Sequence, residues 1–176
     1  MMRGSLAMMA ALALFGADAA QAKIVAALPN GFDVGDSVEI AAPPAAVWAT
    51  LIEPSRWWNP AHTWSGDAAH LSIDPRPGGC FCESLPDGGV QHLTVVFVQQ
   101  GKLLRLHGAL GPLQDEAAEG PLSFALAPGG AGTVLKWSYR VGGYLRGGGE
   151  KWAPLVDEVL GEQIVRLKAV TEKPGH

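Results

Sequence analysis

The chain has 176 residues, with 13 Lys and Arg against 17 Asp and Glu, so its formal net charge is -4 at pH 7. A mild acidic balance without a cluster of basic residues argues against a nucleic-acid partner. The length suits a single domain with a sizeable core, and six Trp are expected to pack that core or to line a pocket.

The N-terminus has the pattern of an export signal over residues 1–22. Arg3 precedes an uncharged apolar run of about ten residues, and an Ala-x-Ala cleavage motif ends at Ala22. The run is too short for a membrane-spanning helix, which needs roughly 20 apolar residues. We therefore expect a periplasmic or secreted protein whose mature form, residues 23–176, is one domain without a membrane span.

The first half of the mature chain predicts a strand, then short helices, then strands. Alternating apolar residues predict a strand over 32–41, and residues 45–53 form a short helix that Pro54 ends. The following segment, residues 55–66, contains three Trp without a clear period and allows a second helical turn. Further strands are predicted over residues 71–73, 80–85, 90–99 and 102–107.

The second half predicts two clear strands and one long helix. Residues 110–120 are ambiguous and fit a short edge strand, whereas 122–126 and 134–141 alternate cleanly. Apolar residues then recur at steps of three and four over 151–172, which predicts an amphipathic helix with Pro154 in its first turn.

This order of elements indicates the α+β class, with helices segregated from an antiparallel sheet. We expect a curved antiparallel sheet of about six or seven strands, wrapped around the long C-terminal helix. One helix cannot fill the concave face of such a sheet. The remaining space must be filled by large side chains or by a ligand.

The only two cysteines, Cys80 and Cys82, lie on one predicted strand. An even count in an exported protein suggests a disulfide. However, residues two apart on a regular strand are separated by about 6.6 Å, which is the upper edge of the Cα separation that a disulfide accepts. Without a bulge or strong twist, we expect free thiols or a labile bond.

Four stretches of the sequence resemble a known superfamily: VEIAAPPAAVWATLIEPSRWWNP, DPRPGGCFCE, LPDGG and the terminal helix from Trp152. Through them the chain resembles the START-like helix-grip (SRPBCC) superfamily, also called the polyketide cyclase and Bet v 1-like group. It is most similar there to the activator of heat-shock-protein ATPase homologues. The resemblance covers residues 32–170 and implies a cavity with the terminal helix as one wall. The cytosolic co-chaperone role is not expected of an exported protein.

The expected ligand site lies between the terminal helix and the sheet, with Trp58 and Trp64 near its mouth. Phe81 and Glu83 share one strand face and the two cysteines share the other, and the sequence leaves open which face points inward. If Phe81 points inward, the pKa of Glu83 should rise in an apolar cavity, making it a candidate base or polar anchor. The expected ligand-binding residues are Trp58, Trp64, Phe81, Glu83, Trp137, Tyr139, Trp152, Leu155, Val156 and Val159.

Three functions fit these features. The leading one is binding of a small apolar or lipid-like molecule. The second is a cofactor-independent cyclase or hydrolase that uses Glu83, His62 or Tyr139 as acid or base, although no established catalytic motif is present. The third is a surface interaction module whose cavity is closed by Trp. No cofactor or metal is expected, since the spacing of His62, Cys80, Cys82 and His92 matches no standard zinc pattern.

Overall fold

A computed structural model describes residues 23–130 and 132–173. The predicted export signal, residues 1–22, lies outside the described residues. Short 3₁₀ turns lie between the first helix and the third strand, and one more, Gly111–Asp115, follows the sixth strand. The elements are β1 Lys23–Leu28, β2 Gly31–Ile40, α1 Pro44–Leu51, β3 Leu71–Ile73, β4 Cys80–Leu85, β5 Gly88–Gln99, β6 Leu103–Gly108, β7 Ala117–Gly129, β8 Gly132–Tyr144 and α2 Gly148–Thr171.

The described strands form one antiparallel sheet of eight, in the order β1-β2-β8-β7-β6-β5-β4-β3. The predicted α+β helix-grip architecture is confirmed, with α2 packed against β1 and β2 and with α1 beside it. The sheet has one strand more than the upper expectation because β1 precedes the first predicted strand. Almost all residues of β1 are exposed, so this edge strand has no alternating pattern to reveal it.

The segment predicted as an edge strand, residues 110–120, is divided between two structures. Its first part forms the 3₁₀ turn, and from Ala117 onward it belongs to β7, which lies in the middle of the sheet. Gly120 and Pro121 suggest a break in the sequence, yet β7 passes through both. A Cβ at Gly120 would overlap the carbonyl oxygen of Arg140, so glycine permits the close pairing of β7 and β8 here.

Helix α2 begins three residues before the predicted start, so Pro154 lies in its second turn rather than its first. The added first turn contains a close approach at Gly149, where a Cβ would overlap the carbonyl oxygens of Leu28 and Gly31. Only glycine lets the start of α2 lie directly on the turn between β1 and β2. This contact fixes the N-terminal end of the helix against the sheet.

Cys80 and Cys82 are joined by a disulfide, so of the two expected states, free thiols or a labile bond, the structure has the bonded one and not the free thiols. Their Cα atoms are 5.4 Å apart, within the normal disulfide range. The β4–β5 pairing shifts register between Phe81 and Cys82, so the ladder is not regular at the disulfide. Lability of the bond stays a prediction.

Candidate functional site

A pocket of about 310 Å³ lies between the N-terminal half of α2 and the sheet. Its floor includes Phe81 on β4 and Tyr139 on β8, and one side is closed by the segment around Leu113. The mouth lies at Trp64 and Leu155, which are 54% and 51% exposed. The wall formed by α2 consists of Trp152, Leu155, Val156, Val159 and Leu160.

The structure brings most of the predicted site residues to this pocket. Trp137 is buried in the core and does not line it, although it shares a strand face with Tyr139. Trp58 is buried in the wall, so only Trp64 of the two predicted mouth residues lies at the mouth. The predicted residues that line the pocket are Trp58, Trp64, Phe81, Tyr139, Trp152, Leu155, Val156 and Val159.

The orientation of β4, which the sequence left open, is fixed by burial. Phe81 and Glu83 point into the domain and are 3% and 1% exposed, while the two cysteines lie half-buried on the opposite face. Glu83 does not line the pocket itself. Its carboxylate lies behind the wall, where it contacts a second titratable residue.

Glu83 accepts three hydrogen bonds: from the backbone N–H of Ser65 at 2.5 Å, from the backbone N–H of Trp64 at 3.1 Å, and from Nε2 of His92 at 3.1 Å. Burial alone raises the pKa of Glu83, but the hydrogen bonds from Ser65, Trp64 and His92 outweigh it and lower the pKa below its usual value. The predicted rise in this pKa is therefore wrong. The residue predicted as an acid or base is an ionised carboxylate that holds its hydrogen-bond donors in place.

His92 lines the pocket and was not among the predicted ligand-binding residues. It is 6% exposed, and its ring centroid lies 5.2 Å from that of Phe81. Burial lowers the pKa of His92, and the partly opposing effect of Glu83 does not restore it, so the imidazole is neutral at pH 7. The sequence holds one signal for this residue: Val90 is out of phase with Leu93 and Val95, so a regular alternation cannot place all three on one face. In the structure, both His92 and Leu93 are buried.

The other two candidate acid–base residues, Tyr139 and His62, already have polar partners. The Tyr139 hydroxyl donates to the carbonyl oxygen of Gly108 at 2.9 Å and accepts from the backbone N–H of Leu110 at 3.1 Å. Burial raises the pKa of Tyr139, so the phenol stays protonated. His62 lies at the pocket edge, 3.1 Å from a carboxylate oxygen of Glu162.

The described residues form no group of three or more His, Cys, Asp or Glu side chains that could hold a metal ion. The two cysteines considered as metal ligands are bonded to each other. Neither helix in the described part of the chain has the length and apolar character needed to cross a membrane.

A family model described as "Polyketide cyclase / dehydrase and lipid transport" matches residues 32–172. Among solved structures, a protein from Mesorhizobium loti is 20% identical with a TM-score of 0.59, covering 82% of this chain and 99% of its own. The Aha1 dimer from Colwellia psychrerythraea is 15% identical with a TM-score of 0.56, covering 82% and 98%. At these identities the likeness concerns the fold alone. No curated protein matches the chain.

Proposed function

The chain belongs to the polyketide cyclase/dehydrase and lipid transport family, and from this premise we propose that it binds a small apolar or lipid-like molecule between the sheet and α2. The observation that carries the proposal is the pocket of about 310 Å³, whose walls are mostly aliphatic and aromatic and whose mouth is open. Ligand sites are typically concave, largely apolar and equipped with a few polar groups.

The volume limits the size of the ligand. An engineered cavity of about 150 Å³ accommodates benzene, and the pocket has about twice that volume. It therefore suits a molecule of two or three rings or one short acyl chain, rather than a lipid with two long chains. Binding would be driven by removal of apolar surface from water, at about 25 cal/mol per Å².

The bonding and position of the candidate acid–base groups favour binding over catalysis. The Tyr139 hydroxyl is bonded to two backbone groups, and the Glu83 carboxylate lies behind the pocket wall with three donors. Neither of these two presents a free proton donor or acceptor to the pocket, and His62, the third candidate, lies at the pocket edge beside the Glu162 carboxylate. An open mouth at Trp64 likewise argues against a closed cavity in a protein that works only through its surface.

Titration with N-phenyl-1-naphthylamine, a neutral apolar dye, tests the proposal. We expect its fluorescence to rise on binding to the wild type and to the Val165→Trp variant, since Val165 lies on the exposed side of α2. Val156→Trp should block binding because Val156 lines the pocket. Thermal stability should change little, because overpacking is costly only where no void exists and the new side chain has the pocket to occupy.

Two results would contradict the proposal. If the wild type does not bind the dye, the pocket is not a ligand site. If Val156→Trp unfolds the domain while Val165→Trp does not, the space is packed core, and a surface interaction module becomes the better hypothesis.

We also propose that the protein is exported. The signal pattern of residues 1–22 and the Cys80–Cys82 disulfide support this, because disulfides persist mainly in oxidising compartments. The intact mass of the natural protein should correspond to a chain that starts at or near Lys23. A full-length form as the only species would contradict export.

A further inference from the structure

We propose that Nδ1 of His92 is the polar anchor of the pocket, and that it accepts a hydrogen bond from a hydroxyl group on an otherwise apolar ligand. This inference rests on the proposed function and narrows the ligand to a class: a molecule of two or three rings, or of similar volume, that carries a hydroxyl. Three observations carry it, namely a bulge in β5, the bonding of Glu83, and the unpaired nitrogen itself.

The bulge places the histidine ring inside the domain. In the β4–β5 ladder, Phe81 pairs with Leu93 and Cys82 pairs with Gln91, so His92 is the extra residue between them. On a regular strand, two consecutive side chains point to opposite faces. Here both His92 and Leu93 are buried. Bulges that redirect a side chain in this way recur beside active sites.

Glu83 determines which nitrogen of the ring carries the proton. Its carboxylate already accepts from the backbone N–H groups of Trp64 and Ser65, and it lies 3.1 Å from Nε2 of His92. An ionised carboxylate can only accept hydrogen bonds. Nε2 must therefore carry the hydrogen, and in a neutral imidazole Nδ1 then has the free lone pair.

Nδ1 of His92 is buried and has no hydrogen-bond partner among the described residues. In the described part of the chain, only one other buried side-chain oxygen or nitrogen shares this condition, and it belongs to Asp157, which does not line the pocket. Burial of an unpaired polar atom costs free energy, which a ligand with a matching donor recovers.

His62 lies at the pocket edge with its side chain 35% exposed to water, so it is not an acceptor in the apolar interior. The other polar side chains of the pocket do not compete for this role. The Thr63 hydroxyl donates to the carbonyl oxygen of Pro60 at 2.8 Å, and the indole N–H of Trp58 donates to the carbonyl oxygen of His62 at 3.0 Å. The indole N–H of Trp152 donates to the backbone of Arg146. A ligand donor in the apolar interior therefore has its best acceptor at His92.

Competition between two ligands of nearly equal shape tests the inference. 2-Naphthol has a hydroxyl donor, and 2-methoxynaphthalene has none. Each is used to displace N-phenyl-1-naphthylamine at pH 7.5 from the wild type, from His92→Phe, and from His107→Phe as a control for an exposed histidine outside the pocket. We expect the wild type and His107→Phe to bind 2-naphthol about tenfold more tightly, equivalent to about 1.4 kcal/mol. In His92→Phe the two affinities should become equal, through loss of affinity for 2-naphthol.

A double variant keeps the test valid if His92→Phe does not fold. Glu83→Gln combined with His92→Phe removes the buried charge together with its partner, and the same loss of preference is expected. Equal affinities in the wild type, or a preference that survives in the folded His92 variant, would overturn the inference alone. If the wild type binds neither the dye nor either naphthalene, the proposed function is overturned and the inference with it.

Discussion

The two halves of α2 carry the same apolar period but have different surroundings. In the C-terminal half, Ile164 and Leu167 are at most 2% exposed and do not line the pocket. In the N-terminal half, Leu155 is 51% exposed and Val156 is half-buried at the pocket wall. The period of apolar residues in the sequence identifies the face that a helix turns towards the sheet. It does not say whether that face packs against side chains or lines a pocket.

The difference arises from the loop that follows α1. This loop is attached to the C-terminal half of α2, where the backbone N–H of Asn59 donates to Oε1 of Gln163 at 2.7 Å. Nε of Arg166 donates to the carbonyl oxygen of Trp57 at 2.9 Å. Trp57 itself is buried in the core. These contacts hold the loop over one half of the helix, and the other half is left to line a pocket.

The largest expected effect is that of Leu167→Ala in the packed half. Leu167 is fully buried, so its truncation leaves a cavity in the core. We expect the free energy of unfolding to fall by about 2–5 kcal/mol. Urea unfolding measures it. A decrease in the free energy of unfolding below about 1 kcal/mol would mean that side chains in the C-terminal half of α2 are packed no more tightly than those in the N-terminal half.

Gly149→Ala should have the next largest effect, and it concerns the pocket half. The added methyl group would meet the carbonyl oxygens of Leu28 and Gly31, which are backbone atoms and cannot rotate away. We expect a loss of about 1–3 kcal/mol in the free energy of unfolding. Gly142→Ala is a matched control, since a Cβ there has open space beyond one contact at 4.0 Å. If both variants lose the same stability, the contact at Gly149 does not hold the end of the helix.

Much of the fold could be predicted because alternation and helical period are local signals. They identified β2, β4 and α2, and through α2 most of one wall of the pocket. Trp137 shares the alternation of Tyr139 but is buried in the core and does not line the pocket. Period alone could not separate the two.

The polar part of the site could not be predicted because it depends on contacts between distant segments. The pKa of Glu83 is lowered by N–H groups of Trp64 and Ser65, which lie about twenty residues earlier in the chain. His92 points inward only because β5 has an extra residue opposite β4. A phase change in a strand is visible in a sequence, but the partner that explains it is not.

Acid should weaken the domain through the buried pair in the pocket half. Burial lowers the pKa of His92, so on acidification the unfolded chain protonates this histidine at a higher pH than the folded protein does. The free energy of unfolding that neutral His92 contributes is therefore fully present only above the usual histidine pKa of 6.5. Stability should fall as the pH decreases from 6.5 towards the lowered pKa. The lowered pKa of Glu83 adds a second loss below its usual value of 4.5.

Urea unfolding at a series of pH values measures this dependence. In His92→Phe the decrease that begins near pH 6.5 should shrink relative to the wild type, whereas the His107→Phe control should keep it, because His107 is exposed. The same slope in all three proteins would mean that the His92 pKa is not lowered by folding.

The smallest effect is expected for Val156→Ala, and it tests the comparison directly. The change removes two methyl groups from a half-buried wall that already faces free space, so little new cavity is created. Alanine is also the better helix former, by up to about 0.7 kcal/mol, which offsets the lost contacts. We therefore expect the free energy of unfolding to stay within about 0.5 kcal/mol of the wild type, while Leu167→Ala loses several times as much. Dye binding should persist, because the variant enlarges the pocket instead of filling it. A loss above about 2 kcal/mol on Val156→Ala would show that this wall is packed as tightly as a core, and the two halves of α2 would then differ in exposure but not in packing.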